Sequence, residues 1–313
     1  MSAAKRKRLN TTPIVNPRTG KLVDLEITDR DIAIFEALAF RFHYLSPQWM
    51  APVLQVPLSS LYHRTRELLR PQNAYLRVSP EQDNNTEDYL WGNLFYALDD
   101  RGRYALENGG YKLPKRHAPT GLRHQLLIDM PMASFQIAAN TSPHLDIIWW
   151  KDLAERCKAA NPLAIPLPDD RTLHFDGLPF VIKRTFDKST YMFCVMEADC
   201  RTEPLRTNDV NKYRATIEQK VTDYIHILES GTYASHFGAQ NFFILFITIT
   251  ISRRNAIIEV VHQLTQGKPH LRKCFLAAFH QVFNKKPKPQ PTGYIAETEF
   301  VRAGLPPFYF NQP

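Results

Sequence analysis

The chain has 313 residues and a formal net charge of +8 at pH 7, and 44% of its residues are hydrophobic while 22% are charged. These values are ordinary for a globular protein, and they exclude a wholly disordered chain, a collagen and a coiled-coil rod. The length predicts two domains. The positive charge favours an anionic partner, with nucleic acid ahead of anionic lipid.

Residues 1–23 are predicted to be a basic flexible tail. The cations that precede the first acid, Asp24, are Lys5, Arg6, Lys7, Arg8, Arg18 and Lys21. Such a run acts either as an electrostatic arm on phosphates or as a solvated terminus without a specific role. We expect no secretory signal here, because no apolar segment follows the basic run.

Residues 24–111 are predicted to form a helical head with a hairpin. Three helices are predicted from N-caps, prolines and helical spacing. The first follows an N-cap at Thr28, and the other two cover 47–54 and 59–69. Residues 74–78 and 90–98 are predicted strands, separated by the polar stretch EQDNNTED, and residues 99–110 are predicted to form a closing helix. Three helices followed by a hairpin are the order of a winged helix-turn-helix, whose third helix enters the major groove of DNA.

The third helix supplies the predicted contacts to double-stranded DNA. The residues expected on its outer face are Ser59, Ser60, Tyr62, His63, Arg64 and Arg66. Arginine and serine side chains suit contacts to phosphate and guanine. The tail cations counted with them as DNA contacts are Lys5, Arg6, Lys7 and Arg8. The alternative is a helix that only packs or dimerises, as in winged helices that bind proteins.

The segment 112–121, KLPKRHAPTG, predicts a linker because proline, glycine and cations are concentrated in it. Residues 122–283 then alternate helices and strands, which predicts an α/β sandwich. The elements expected there are a helix at 122–139, strands at 144–150, 171–175, 180–185 and 191–198, a helix at 208–229, a strand at 241–251, a helix at 254–264 and a strand at 274–279. Residues 284–313 are predicted to be an extended tail, whose aromatic cluster at 308–310 docks on its own domain or on a partner.

Three acids of the second domain form a candidate metal site. Asp176 precedes a predicted strand, while Glu197 and Asp199 lie two residues apart near the end of a later strand and so share a face. If the two strands pair, the three carboxylates converge and are suited to Mg²⁺. The alternative is charge at a strand end that Arg201 or a helix N-terminus neutralises.

Cysteine spacing, the absence of common catalytic motifs and the length of the apolar stretches exclude several classes of protein. The cysteines form no CxxC pair, which favours a reducing, cytoplasmic setting over a disulfide framework or a zinc site. The sequence has no P-loop, GxSxG or HExxH motif. The longest apolar stretch, 242–251, is ten residues, and since a membrane span needs about 20, we expect no membrane association.

Several segments together resemble the replication-relaxation family of bacterial plasmids, phages and integrated mobile elements. In chain order they are TDRDIAIFEALAFRFHYLS, YALDDRGRYAL, LRHQLLID, FDGLPF, MEADCRTEPL, Lys220 with Tyr224, and ISRR. The resemblance implies a winged helix joined to a domain similar to restriction-endonuclease-like folds, in a DNA-binding protein that serves replication or its control. The expected fold class is therefore α+β or α/β, with an N-terminal winged helix-turn-helix and a restriction-endonuclease-like α/β sandwich.

The resemblance also implies a nuclease site with one departure. In that superfamily the site consists of an Asp and, later in the chain, a Glu or Asp that is separated by one residue from a Lys. Asp176 and Glu197 match the first two positions, but Asp199 stands where the lysine is expected. That lysine helps to activate water and stabilises negative charge on phosphate, which an aspartate cannot do. Lys212 or Lys220 of the following helix is a candidate replacement.

These observations leave three functions open. The favoured prediction is a DNA-binding protein of a mobile element whose nuclease-like domain is inactive. The alternatives are a Mg²⁺-dependent DNA endonuclease that uses Asp176, Glu197, Asp199 and Lys220, and an adaptor that binds proteins. Further candidate partners are a second copy of the chain and other proteins of the mobile element.

Overall fold

The chain folds into two compact units, Met1–Leu122 and Arg123–Pro313, and the boundary falls at the end of the predicted linker. A computed structural model describes residues 14–15, 22–23, 25–71, 73–83, 94–114, 121–157, 163–167, 170–201, 203–206, 216–280 and 290–313. No helix within these ranges is both long enough and apolar enough to cross a membrane.

Helices dominate the described residues of unit 1. The helices are α1 (Asp29–Phe40), α2 (Pro47–Leu54), α3 (Leu58–Leu69), α4 (Pro80–Asp83) and α5 (Asp100–Asn108). The strands are β1 (Ile14–Val15), β2 (Leu22–Val23), β3 (Leu76–Val78) and β4 (Tyr96–Leu98). β1 pairs with β2 and β3 with β4, in both cases antiparallel.

Helix α1 begins where its sequence predicts. The Thr28 hydroxyl accepts a hydrogen bond from the backbone N of Asp31, and Asp31 Oδ2 accepts one from the backbone N of Thr28 at 2.8 Å. This reciprocal capping box satisfies two backbone donors that a helix start otherwise leaves unpaired. The predicted helix 47–54 is confirmed as α2, and α3 starts one residue before the predicted 59–69.

Two expectations for unit 1 need correction. The pair of β1 and β2 lies in the segment predicted as a flexible tail, and α4 occupies the start of the predicted polar loop. The side chain of Gln82 on α4 accepts a hydrogen bond from the backbone N of Phe95, 2.9 Å away, just before β4. The α4 turn is thereby tied to the hairpin. Residues 84–93, the remainder of the predicted loop and the start of its second strand, lie outside the described ranges.

Unit 2 carries the larger sheet. Its helices are α6 (Leu122–Thr141), α7 (Trp150–Ala154), α8 (Ile217–Ser230), α9 (Thr232–Phe237), α10 (Ile251–Leu264), α11 (Pro269–Arg272) and α12 (Tyr294–Glu297). Its strands are β5 (Leu145–Ile148), β6 (Ala164–Pro166), β7 (Thr172–His174), β8 (Phe180–Thr185), β9 (Ser189–Asp199), β10 (Phe243–Thr248), β11 (Phe275–Phe279), β12 (Phe300–Arg302) and β13 (Leu305–Phe308).

Seven of these strands form one mixed sheet in the order β13-β12-β11-β10-β9-β8-β5. β9, β10 and β11 are parallel, and the other neighbours are antiparallel. Parallel neighbours need crossover connections, and α8 and α10 provide them. Because β9 and β10 are parallel and in register, Asp199 lies opposite Thr248. The carboxyl ends of both strands therefore lie side by side, next to the start of α10.

The predicted extended tail is wrong for residues 290–313, because α12, β12 and β13 are part of unit 2. β12 pairs with β11 through Val301 and Ala277, and β13, which contains Pro306 and Pro307, forms the edge of the sheet. The buried ring of Phe310 lies edge-on to Phe135 with their centroids 4.9 Å apart. The aromatic cluster therefore docks on its own domain.

Two predicted elements of unit 2 differ in extent. Thr216 caps α8 by accepting from the backbone N of Gln219 at 3.0 Å, and Gly231 ends the helix at a φ of 67°. The earlier part of the predicted helix, 208–215, lies outside the described residues. The predicted strand 241–251 is shorter, because Thr250 caps α10 and Ile251 is its first residue.

Candidate active site

Lys220 lies among three carboxylates in unit 2. Its Nζ is 3.0 Å from Glu197 Oε2, 3.2 Å from Glu203 Oε1 and 3.7 Å from Asp176 Oδ2. The Lys220 side chain is 17% exposed and that of Glu197 is 2% exposed. The structure thus brings together three of the predicted site residues, Asp176, Glu197 and Lys220, and places a cation beside both predicted carboxylates.

Different elements supply these side chains. Asp176 lies in the turn before β8, Glu197 is on β9, and Lys220 is in the first turns of α8. Asp176 Oδ2 accepts a hydrogen bond from the backbone N of Ala198 at 3.0 Å, which fixes the turn beside β9. Gly177 lets the same turn pack against α6, because a Cβ there would lie 2.9 Å from a methyl group of Ile128.

Tyr224 holds the second oxygen of Glu197. It lies one helical turn after Lys220, so both side chains project from one face of α8. The Tyr224 hydroxyl donates to Glu197 Oε1, while Lys220 donates to Glu197 Oε2. The phenol is fully buried, and the orientation of the Glu197 carboxylate is therefore fixed from both sides.

The charges in this cluster shift one another's pKa values. Burial and the neighbouring Asp176 raise the pKa of Glu197 to about 8. Burial acts in the same direction on Asp176, but Lys220 and His124 hold the pKa of that carboxyl below its usual range. Glu197 and Asp176 raise the pKa of Lys220 even though burial acts to lower it, so the ammonium stays charged. Strong shifts in opposite directions within one cluster are typical of functional sites.

His124 adds a second cation beside Asp176. It lies in the first turn of α6, with Nε2 3.5 Å from Asp176 Oδ1. Burial acts to lower the pKa of His124, but Asp176 and the nearby Cys200 raise it to about 10. The imidazole is therefore protonated at neutral pH, and the Asp176 carboxylate lies between two positive charges.

Asp199 does not join this cluster, so the predicted trio of carboxylates is wrong in its third member. Arg253 Nη2 lies 3.2 Å from Asp199 Oδ1, Arg253 Nε donates to Oδ2, and the backbone N of Arg201 donates to Oδ1 at 3.0 Å. Glu197 and Asp199 do share a face of β9, but the strand ends at Asp199, where the first turn of α10 brings Arg253. Within the described ranges, no group of three or more His, Cys, Asp or Glu side chains is arranged to hold a metal ion.

Arg64 of unit 1 also differs from its prediction, because it does not lie on the exposed face of α3. Its side chain is 12% exposed, with Nη2 2.6 Å from Asp31 Oδ2 and Nη1 2.9 Å from Glu67 Oε2. Its Nη2 also donates to the carbonyl of Glu26 at 2.6 Å. The expectation that Arg64 faces DNA is wrong, because the fully buried carboxylate of Asp31 requires a counterion.

The other predicted DNA contacts of α3 are mostly exposed. Those on its open face are Ser59, Tyr62, His63 and Arg66. Ser60 is half-buried, and its hydroxyl donates to the carbonyl of Pro57 at 2.8 Å. The tail cations Lys5, Arg6, Lys7 and Arg8 lie outside the described residues. Arg66 is therefore the arginine of the predicted α3 set that solvent reaches freely.

No family model, curated protein or solved structure matches the chain. The likeness to the replication-relaxation family therefore stays a prediction made on the segments quoted above.

Several site residues carry little signal in the sequence. Glu203 stands in the segment MEADCRTEPL without an evident role, and only the structure shows that it contacts Lys220. His124 and Arg253 are 52 and 54 residues away from their carboxylate partners Asp176 and Asp199. Since the contacts form through tertiary folding, spacing along the chain does not reveal them.

Proposed function

We propose that the chain is a DNA-processing protein of a mobile element, and that its larger unit hydrolyses phosphodiester bonds with the help of Mg²⁺. The observation that carries this proposal is the ammonium of Lys220, 3.0 Å from Glu197 and 3.7 Å from Asp176. The restriction-endonuclease-like pattern requires a cation beside two carboxylates, and Lys220 supplies it from a helix where Asp199 replaces the lysine on the strand. The position of Lys220 favours this alternative over an inactive domain.

The residues present fit a hard divalent cation. Mg²⁺ prefers oxygen ligands and is commonly held by one or two carboxylates together with substrate phosphates, so Asp176 and Glu197 would hold it. Glu203 Oε2, beside Lys220, is a buried carboxylate oxygen without a hydrogen-bond partner among the described residues. When bound, Mg²⁺ would polarise the phosphate and favour the attacking hydroxide form of water.

The side chains of the cluster have separate tasks in this proposal. Lys220 stabilises negative charge on the phosphate oxygens, since a fixed cation in a water-poor site acts strongly on charge that develops nearby. Tyr224 keeps Glu197 in one orientation by donating to it. His124, held at Asp176, adds positive charge to the same site and so favours the approach of the DNA backbone.

Cleavage of supercoiled and linear DNA with Mg²⁺ or Mn²⁺ tests the proposal. We expect Glu197→Gln to abolish cleavage, and Lys220→Ala to slow it by about 10²–10³-fold, as removal of one charge-stabilising donor does elsewhere. Lys268→Ala is the matched control, because that lysine pairs with the exposed Glu229 away from the cluster. Cleavage that survives Glu197→Gln would indicate a contaminating nuclease and remove the proposal.

A DNA-binding protein that does not cut is the second candidate. It is favoured by Asp199, which occupies the position of the catalytic lysine and is bound to Arg253. The order α1, α2, α3 and the β3–β4 hairpin supports a winged helix in unit 1, with Tyr62 and Arg66 exposed on α3. Gel-shift titration with duplex DNA tests this candidate, because phosphate contacts make affinity fall steeply with salt. Binding that is insensitive to salt contradicts it.

A further inference from the structure

Asp199 is the residue that departs from the nuclease pattern, yet it is almost completely buried. Its side chain is 3% exposed and that of its partner Arg253 is 11% exposed. Both oxygens of Asp199 are occupied, by the guanidinium of Arg253 and by the backbone N of Arg201. Asp199 therefore belongs to a pair with Arg253 and not to the cluster of carboxylates around Lys220.

Arg253 also holds the chain beyond β9. The Nη2 atom that reaches Asp199 Oδ1 also donates to the backbone carbonyl of Glu203 at 2.5 Å. Arg201 has a φ of 64°, a left-handed backbone conformation that residues other than glycine rarely adopt. The hydrogen bond from its backbone N to Asp199 holds the chain in this turn just after the strand.

The carbonyl and the carboxylate of Glu203 are held by different partners. Arg253 binds its carbonyl, while Oε1 of its side chain lies 3.2 Å from Lys220 Nζ. On the opposite side, Lys220 lies 3.0 Å from Glu197 Oε2. A continuous series of contacts therefore joins Asp199, Arg253, Glu203 and Lys220.

From these contacts we infer that Asp199 and Arg253 are positioning residues, which place Glu203 against Lys220 and so keep the ammonium next to Glu197 and Asp176. The inference rests on the proposed function and deepens it. The aspartate in the position of the strand lysine would then have a task, namely to hold the arginine that orders the site around the helix lysine. Neither Asp199 nor Arg253 touches the substrate in this scheme.

Arg253→Lys is the variant that separates positioning from folding. A lysine keeps the positive charge beside the buried Asp199, but it lacks the planar fork that reaches both Asp199 and the Glu203 carbonyl. Arg254→Lys is the matched control, since it makes the same change one residue later, at an arginine that contacts Glu299 at 3.2 Å. A second variant, Asp199→Asn with Arg253→Gln, removes both charges and leaves no lone buried ion.

The first measurement does not depend on nuclease activity. Hydrogen–deuterium exchange of the peptide 198–206 should be faster in Arg253→Lys and in the double variant than in the wild type, and unchanged in Arg254→Lys. Exchange that is unchanged in both Arg253→Lys and the double variant overturns the inference. If the wild type fails to cleave DNA in a Glu197-dependent way, the proposed function fails, while this measurement still decides the positioning role.

The second measurement is a double-mutant cycle on the cleavage rate. We expect Arg253→Lys to slow cleavage by about 10–100-fold, the range for residues that orient a site from behind, with DNA affinity and melting temperature close to the wild-type values. Because the effect passes through Glu203, combining Arg253→Lys with Glu203→Gln should give the loss of Glu203→Gln alone. Losses that multiply instead would show that Arg253 acts independently of Glu203 and would overturn the inference.

Discussion

Arg64 allows a sharp test of whether an arginine on α3 serves the fold or the DNA. The fully buried carboxylate of Asp31 receives hydrogen bonds from Arg64 Nε at 2.8 Å and Arg64 Nη2 at 2.6 Å, and from the backbone N and hydroxyl of Thr28. Burial acts to raise the pKa of Asp31, but the contacts with Arg64 and Thr28 lower it, so the group is ionised in the folded state.

Replacing Arg64 with alanine leaves that carboxylate buried and without its counterion. Removal of one partner of a buried ion pair typically costs about 3–5 kcal/mol. The two hydrogen bonds from Thr28 persist, and so we expect the lower end of this range, about 3 kcal/mol. That is a large fraction of the ~5–15 kcal/mol by which a typical domain is stable.

Arg66→Ala is the matched control, because it removes the same side chain two residues later on the exposed face. We expect its free energy of unfolding to change by less than about 0.5 kcal/mol. Urea unfolding followed by circular dichroism measures both variants. In gel shifts, Arg66→Ala should weaken DNA binding and lower the salt slope by about 1, whereas Arg64→Ala should reduce binding only to the extent that unit 1 unfolds. Arg64→Ala with wild-type stability and weakened, less salt-dependent DNA binding would refute this reasoning.

Three further predictions concern unit 2. Tyr224→Phe, which keeps the packing but removes the donor to Glu197, should slow DNA cleavage by about 10–100-fold with unchanged DNA affinity in gel shifts. Burial lowers the pKa of His280 to about 3, so between its usual value of about 6.5 and that value only the unfolded chain binds the proton. Between pH 7.5 and pH 5 this one group should therefore lower the free energy of unfolding by about 2 kcal/mol relative to His280→Asn, which cannot titrate, and urea unfolding of both proteins measures that difference. An identical pH dependence in the two proteins would exclude this role of His280. Arg184 donates to the carbonyl of Phe310 at 3.1 Å, and Arg184→Met should therefore speed carboxypeptidase digestion of the C-terminal residues; an unchanged digestion rate would contradict this anchoring role.

Local signals in the sequence predict the helices of unit 1 well. Thr28 and Pro47 mark the starts of α1 and α2, because caps and prolines act on the residues next to them. The strands β12 and β13 were missed for the opposite reason. They are three and four residues long, and they are strands because they pair with each other and β12 pairs with the distant β11.

The site was predictable to the extent that a motif carried it. Asp176, Glu197 and Lys220 come from the nuclease pattern and its missing lysine, and the structure brings the three together. The error over Asp199 has a physical cause. The two-residue period of a strand predicts on which face of the sheet a side chain lies, but it does not predict which residue from another element contacts that side chain. Arg64 shows the same limit on a helix, because its partner Asp31 comes from α1.

The prolines of β13 limit how the sheet can grow. Pro306 and Pro307 lack the backbone N–H that an incoming strand would need, and the Pro306 carbonyl already accepts from Arg302 Nε at 2.9 Å. Exposed edge strands invite pairing between molecules, and proline there blocks such pairing. At high concentration the molecule is thereby protected against fibre-like stacking through this edge.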